Sequence, residues 1–172
     1  MTNVLTLVEH HVPRITWSPR WLFFWRAEEA VEVHLDFVID GKSLRTWIQE
    51  WEGADWAPEE VSLLTPVRPD LAVEQIDRLL GRRPHQYWNR GWLLFCGGCW
   101  DESCGGVTAD IRREDGKVYW SGIGWDDSLD EDTYRIENAV DFVFDEAEYE
   151  RILLEARELF SGRRRRDRPL AG

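Results

Sequence analysis

The three cysteines of this 172-residue chain fall within nine positions, Cys96-Gly-Gly-Cys99-Trp-Asp-Glu-Ser-Cys104. Clustered thiols bind soft metals, exchange electrons or close a tight turn. Cys96 and Cys99 have the two-residue spacing of half a zinc site, and Cys104 can fold back as a third ligand. A tetrahedral zinc ion needs a fourth, for which Asp101, His85 and His34 are candidates that no spacing selects between. A redox pair at Cys96 and Cys99 is a second reading. Such pairs usually open a helix that stabilises the thiolate, whereas the flanks here read as strands. A third reading is a glycine-rich connection that carries semi-buried thiols and no chemistry. Gly97-Gly98 and Gly105-Gly106 lack the Lys-Ser/Thr and the strand–loop–helix order of a phosphate-binding loop.

Charge and aromatic content mark a second candidate. The formal net charge is −12, and residues 101–150 alone carry 16 Asp and Glu against 4 Lys and Arg. Such a body repels the phosphate backbone, which argues against nucleic acid, and steers basic partners towards it. The chain also holds eleven tryptophans, more than one small core readily buries. Trp120 and Trp125 flank Gly122-Ile-Gly124 next to the acidic run Asp126, Asp127, Asp130, Glu131 and Asp132. Aromatic and acidic side chains together suit a surface that binds Arg or Lys. The acidic run misses the alternate-position register and central glycine of a calcium loop. No Gly-x-Ser-x-Gly elbow or His-Glu-x-x-His motif occurs, so nothing assembles a catalytic nucleophile and base.

These residues need elements to hold them. Residues 31–39 alternate, with Val31, Val33, Leu35, Phe37 and Ile39 on one face and His34 opposite, which predicts a half-buried strand ending at Asp40-Gly41. Residues 3–8 and 21–26 read as further strands. Ser43 caps a short helix carrying Leu44, Trp47, Ile48 and Trp51. Residues 53–69 form a connector with one helical turn after Pro58, and Asp70 caps a second helix that stops at Gly81. Residues 92–96, 107–113 and 118–123 read as strands, the last two joined by a hairpin at Asp115-Gly116. Residues 134–144 read as one more strand, and Asp145 caps a closing helix to Phe160. The expected fold is α+β, a mostly antiparallel sheet with two central helices and a C-terminal helix packed on it. Residues 1–162 are expected to form one domain, and residues 163–172, rich in arginine, a disordered basic tail.

The cysteine cluster and the closing helix resemble an uncharacterised family of small bacterial proteins, common in actinobacteria. Its members carry Cys-x-x-Cys-Gly-Asp-x-x-Cys-Gly, then Val-x-Trp, then Phe-x-Phe-Asp-x-x-x-Tyr-Glu. The matching residues here are Cys96, Cys99, Asp101, Cys104 and Gly105, then Val118 and Trp120, then Phe142, Phe144, Asp145, Tyr149 and Glu150. Residues 39–44 are similar to its early Val-Asp-Gly-x-Ser-Leu stretch. Trp100 stands where the family has glycine. The resemblance spans roughly residues 31–155 and implies a fold without an activity.

Three functional expectations follow. The first is a non-catalytic, acidic, tryptophan-rich module that clamps a basic protein or peptide through Trp120, Trp125, Asp126, Asp127, Asp130, Glu131 and Asp132. An immunity protein that neutralises a basic toxin has this character. The second is a small zinc protein with the ion on Cys96, Cys99 and Cys104. The third is a thiol-dependent enzyme. The N-terminus lacks a basic segment followed by an apolar run, and no stretch approaches 18 apolar residues, so neither a secretory signal nor a membrane span is expected. An odd number of closely spaced cysteines fits the reducing cytoplasm.

Overall fold

A computed structural model describes residues 1–21, 24–53, 59–85, 87–129 and 134–162, with backbone alone at 17–21 and 24–25. The expected helical turn after Pro58 finds no helix over residues 59–68, and Pro58 itself lies outside the described residues, as does the expected basic tail.

The fold is α+β with antiparallel sheets, as expected, but the strands divide into two sheets. The first pairs β1 (Leu5–Trp21), β2 (Phe24–Ile39) and β3 (Lys42–Ser43). Its β1–β2 register runs from Leu5 opposite Ile39 to Trp21 opposite Phe24, so the strands expected at residues 3–8 and 21–26 belong to one long hairpin. The second sheet has the order β4 (Gly91–Phe95), β5 (Gly106–Glu114), β6 (Lys117–Asp126) and β7 (Tyr134–Arg135), with β8 (Phe142–Asp145) also on β6. The single strand expected over residues 134–144 is therefore two short ones. A turn, closed by the Ala139 amide on the Ile136 carbonyl at 3.1 Å, separates them.

Both margins of the two sheets are stitched together. The Asn3 amide donates to Val143 on β8 at 2.6 Å. On the other side, Val61 exchanges backbone hydrogen bonds with Phe95 of β4, and the Leu35 amide of β2 donates to Leu64. The segment 61–65 thus covers the face of β2 expected to be exposed. His34 is fully buried there, with Nδ1 at 2.7 Å from the Ser62 carbonyl.

Among the described residues three α-helices close the structure. Ser43 caps α1 (Leu44–Glu52) as expected, its hydroxyl accepting from the Thr46 amide. Helix α2 (Pro69–Leu79) starts on Pro69, whose fixed φ suits the first turn, with Arg68 at the cap position; Asp70 pairs with Arg68 instead of capping. Gly81, at φ +70°, ends that segment as expected. Asp145 caps α3 (Glu146–Phe160) by accepting from the Glu148 amide. Among the described residues no helix is long and apolar enough to cross a membrane.

The core centres on Trp120, which is completely buried. Its ring meets Phe37, Phe144 and Tyr149 edge-on at 5.6, 5.1 and 6.1 Å. Its indole N–H lies 3.3 Å from the Tyr149 hydroxyl, so the one polar atom of the ring has a partner.

Helices α2 and α3 are cross-linked by Asp77 and Arg157, through paired contacts of 2.7 and 3.1 Å. The Arg157 guanidinium holds the Asp77 carboxyl below the usual carboxylate range. The folded value lies below the unfolded one, so this stabilisation is complete above the unfolded pKa of about 4 and disappears as pH falls through the folded value. Asp77→Asn is expected to cost about 1–2 kcal/mol at pH 7, and the difference from wild type should shrink steadily below about pH 4. Urea unfolding at several pH values measures both.

Candidate functional site

The cysteine cluster sits between β4 and β5. Strand β4 ends at Phe95, and the chain then turns so sharply that the Trp100 amide donates to the Cys96 carbonyl at 2.9 Å. The backbone N–H groups of Cys99 and Gly98 lie on the Cys96 side of this turn and favour its charged sulfur. Donors of this kind stabilise the thiolate, and they hold the Cys96 thiol below its ordinary range. Asp101 accepts from the Ser103 amide at 2.7 Å and caps a single 3-10 turn (Glu102–Cys104). Gly105 follows at φ +81°, where a side chain would be strained.

That turn carries Cys104 back onto Cys99, with their sulfurs 3.1 Å apart. All three sulfurs lie within 4.8 Å of one another. A tetrahedral zinc ion with Zn–S bonds of about 2.3 Å sets its sulfurs about 3.8 Å apart, so small side-chain rotations suffice to receive it. Cys99 and Cys104 are exposed and Cys96 is half-buried. The Cys104 thiol is pushed up to about 11 because the Cys99 sulfur lies against it. Among the described residues none of the three expected fourth ligands joins the cluster. Asp101 is used as a cap, and His34 is buried against the Ser62 carbonyl with its ring 5.6 Å from Trp100.

The surroundings clamp the turn. Arg14 of β1 donates to the Gly97 carbonyl while its Nε holds Glu32 at 2.9 Å. A Cβ at position 97 would overlap the Glu59 carbonyl oxygen, so only glycine fits between them. Trp100 has φ +59°, an uncommon conformation for a bulky residue. Its ring packs with Leu63, Trp92 and Phe95, which holds it there. Glu102 bonds Arg78 of α2 at 3.0 Å, and its carbonyl accepts from the Ser128 amide at 3.1 Å. Sequence reading offered no signal for Arg14, Glu59 or Arg78, because each reaches the turn from a distant part of the chain.

The acidic and aromatic set is not one surface, which corrects the expectation for two of its members. Trp120 is the centre of the core. Asp126 ends β6 inside the protein, with no side-chain exposure. Its carboxylate takes Arg90 Nε at 2.7 Å and the Thr108 hydroxyl, with Arg135 at 3.5 Å. Trp125 is half-buried against the main core. Asp127 is half-buried as well; its carboxylate accepts from the Leu129 amide at 2.7 Å, and its carbonyl accepts from the Trp88 indole at 2.6 Å. Asp130, Glu131 and Asp132 lie outside the described residues. What remains is a groove of roughly 420 Å³ beside Cys104, lined by Glu60, Trp125, Asp126, Asp127 and Tyr134. Burial raises the Glu60 carboxyl above its usual range.

These features define a half-open cluster of three thiols on a braced turn. No family model matches the chain, and no curated protein or solved structure matches it either.

Two expectations test this placement. In metal-free, reduced protein, Cys96 should ionise well before Cys104, which titrates near pH 11; alkylation of these two across pH, read by mass spectrometry, tests this. Asp126→Asn should destabilise the fold by roughly 1–3 kcal/mol, because Arg90 and Thr108 lose a buried charged acceptor while Arg90 keeps Asp110. Denaturant titration measures this, and an unchanged midpoint would show that Asp126 is not structural.

Proposed function

We propose that this protein is a small zinc protein whose ion is held by Cys96, Cys99 and Cys104. The observation that carries the reading is the convergence of the three sulfurs within 4.8 Å. The peptide N–H donors on the Cys96 sulfur support it, since they stabilise the deprotonated form a metal needs. The ion would tie the end of β4 to the turn before β5, a bracing role. The three protein ligands leave a fourth position for water or for a donor from outside the chain.

The groove beside Cys104 supports a second reading, that a basic protein or peptide docks on this face. Its half-buried Trp125, exposed Tyr134 and the acidic Glu60 and Asp127 are the chemistry a Lys or Arg side chain would meet. Neutralisation of a basic toxin belongs to this reading. It would require Asp127→Lys to abolish capture of that partner.

Elemental analysis decides the first reading. Chain purified without a metal-binding tag, under reducing conditions, is expected to carry close to one zinc per chain, and Cys104→Ser less than about 0.2. Chelation should lower the melting temperature of the wild type and leave Cys104→Ser nearly unchanged. Protein that arrives without zinc and takes up neither zinc nor cobalt on titration would overturn the proposal.

A further inference from the structure

Three thiols can pair in three ways, and the sequence points to the Cys-x-x-Cys pair, Cys96 with Cys99. The structure points elsewhere. We propose that Cys99 and Cys104 are the oxidation site of this protein, closing to a disulfide under hydroperoxides while Cys96 remains a thiol.

The argument is geometric. The Cys99 and Cys104 sulfurs already lie 3.1 Å apart, and both residues are exposed to a small oxidant. A disulfide bond is about 2.05 Å long, so closure asks the two sulfurs to approach by about 1 Å. Cys104 is the last residue of its 3-10 turn, and Gly105 follows it. Cys96 is held differently. Its carbonyl is the acceptor of the Trp100 amide, and its backbone directly follows β4, which is paired to β5. Pairing Cys96 with either neighbour would strain a backbone anchored to β4 and to the Trp100 amide and draw a half-buried side chain outward.

The chemistry balances with hydrogen peroxide as oxidant. One thiolate of the pair attacks a peroxide oxygen, the O–O bond breaks, and hydroxide leaves a sulfenic acid on that sulfur. The second thiolate attacks the sulfenic sulfur, the S–S bond forms, and the S–O bond breaks to release a second hydroxide. Two electrons from two sulfurs reduce one peroxide, and the protons of the two thiols convert both hydroxides to water. Where zinc is bound, this removes two of its three ligands and releases the ion. The pairing itself does not depend on zinc.

The test uses the full chain, both as isolated and after chelation and desalting. Each sample is treated with hydrogen peroxide, its remaining thiols are blocked with N-ethylmaleimide, and the protein is cleaved at the amino side of Asp101. Cleavage there parts Cys104 from the other two cysteines, so a bond to Cys104 keeps the fragments joined. The expected product is one disulfide joining the fragments, with the maleimide on Cys96, and dithiothreitol should reverse it. The oxidation rate should fall at least about tenfold in Cys99→Ser and Cys104→Ser and stay within roughly threefold in Cys96→Ser. A maleimide on Cys99 or Cys104, or sulfinic acid without any disulfide, would overturn the proposal. If the protein holds no zinc as isolated and takes up neither zinc nor cobalt on titration but the maleimide still marks Cys96, the metal reading fails and this one stands.

Discussion

The buried ion pair between Arg90 and Asp126 is the constraint on which the site end of the molecule depends. Arg90 precedes β4, Asp126 ends β6, and Thr108 of β5 lies between them and bonds both. The guanidinium also meets Asp110 at 2.6 Å and the Gly122 carbonyl at 2.5 Å. Burying two charges is expensive unless each has several partners, and here three adjacent strands provide them. Thr108 and Asp110 are two residues apart on β5 and so share a face, which lets both side chains reach the same guanidinium, while the extra residue of the β5–β6 register falls on β6. One charge cluster therefore fixes the relative positions of three strand ends.

The cysteine turn inherits that rigidity. Gly106 pairs with Phe95 on one side and Asp126 on the other. Cys96 follows the first of these anchors and Cys104 lies two residues before Gly106, so the separation of the outer thiols is set by the sheet. The turn's interior is fixed from outside by Arg14, Arg78 and the ring of Trp100. The sulfurs converge because their backbone is held at both ends and clamped in the middle. Nothing in this requires a metal, which is why the thiols can be expected to keep their arrangement when an ion is removed.

Elements set by local chemistry were legible in the sequence. Ser43 and Asp145 cap helices, Asp115-Gly116 turns a hairpin with both residues at positive φ, and the strand over residues 31–39 is in place. Legibility failed where a distant segment decided the outcome. His34 alternates like an exposed residue, but residues 61–65 fold over it. Trp120 and Asp126 sit in a polar, aromatic stretch that looks like surface, yet one meets Phe37 and Tyr149 and the other meets Arg90 across 36 residues. The three thiols could be read as a cluster from spacing alone, but the short Cys99–Cys104 approach comes from the 3-10 turn that Asp101 caps, a turn too short to leave a periodic pattern.

The same long-range pairing changes the meaning of the net charge. A count of −12 suggests a free acidic face, but six of the 33 Asp and Glu are engaged by arginines at buried or half-buried positions. Asp36 faces Arg45, Asp77 faces Arg157, Asp126 faces Arg90, Glu102 faces Arg78, and Glu146 and Glu150 share Arg113. At the cysteine turn Arg14 is engaged by the Gly97 carbonyl and by Glu32. Peptide N–H groups ease the ionisation of Cys96, while Cys104 is held protonated by the sulfur beside it. Three thiolates cannot coexist at this spacing without positive charge between them. A divalent cation would provide it and would reverse the penalty on Cys104, which is the physical case for the proposed ion. A disulfide between Cys99 and Cys104 removes the same repulsion by removing two of the charges. Both outcomes follow from one fact, that the fold brings three sulfurs within 4.8 Å of one another on one braced turn.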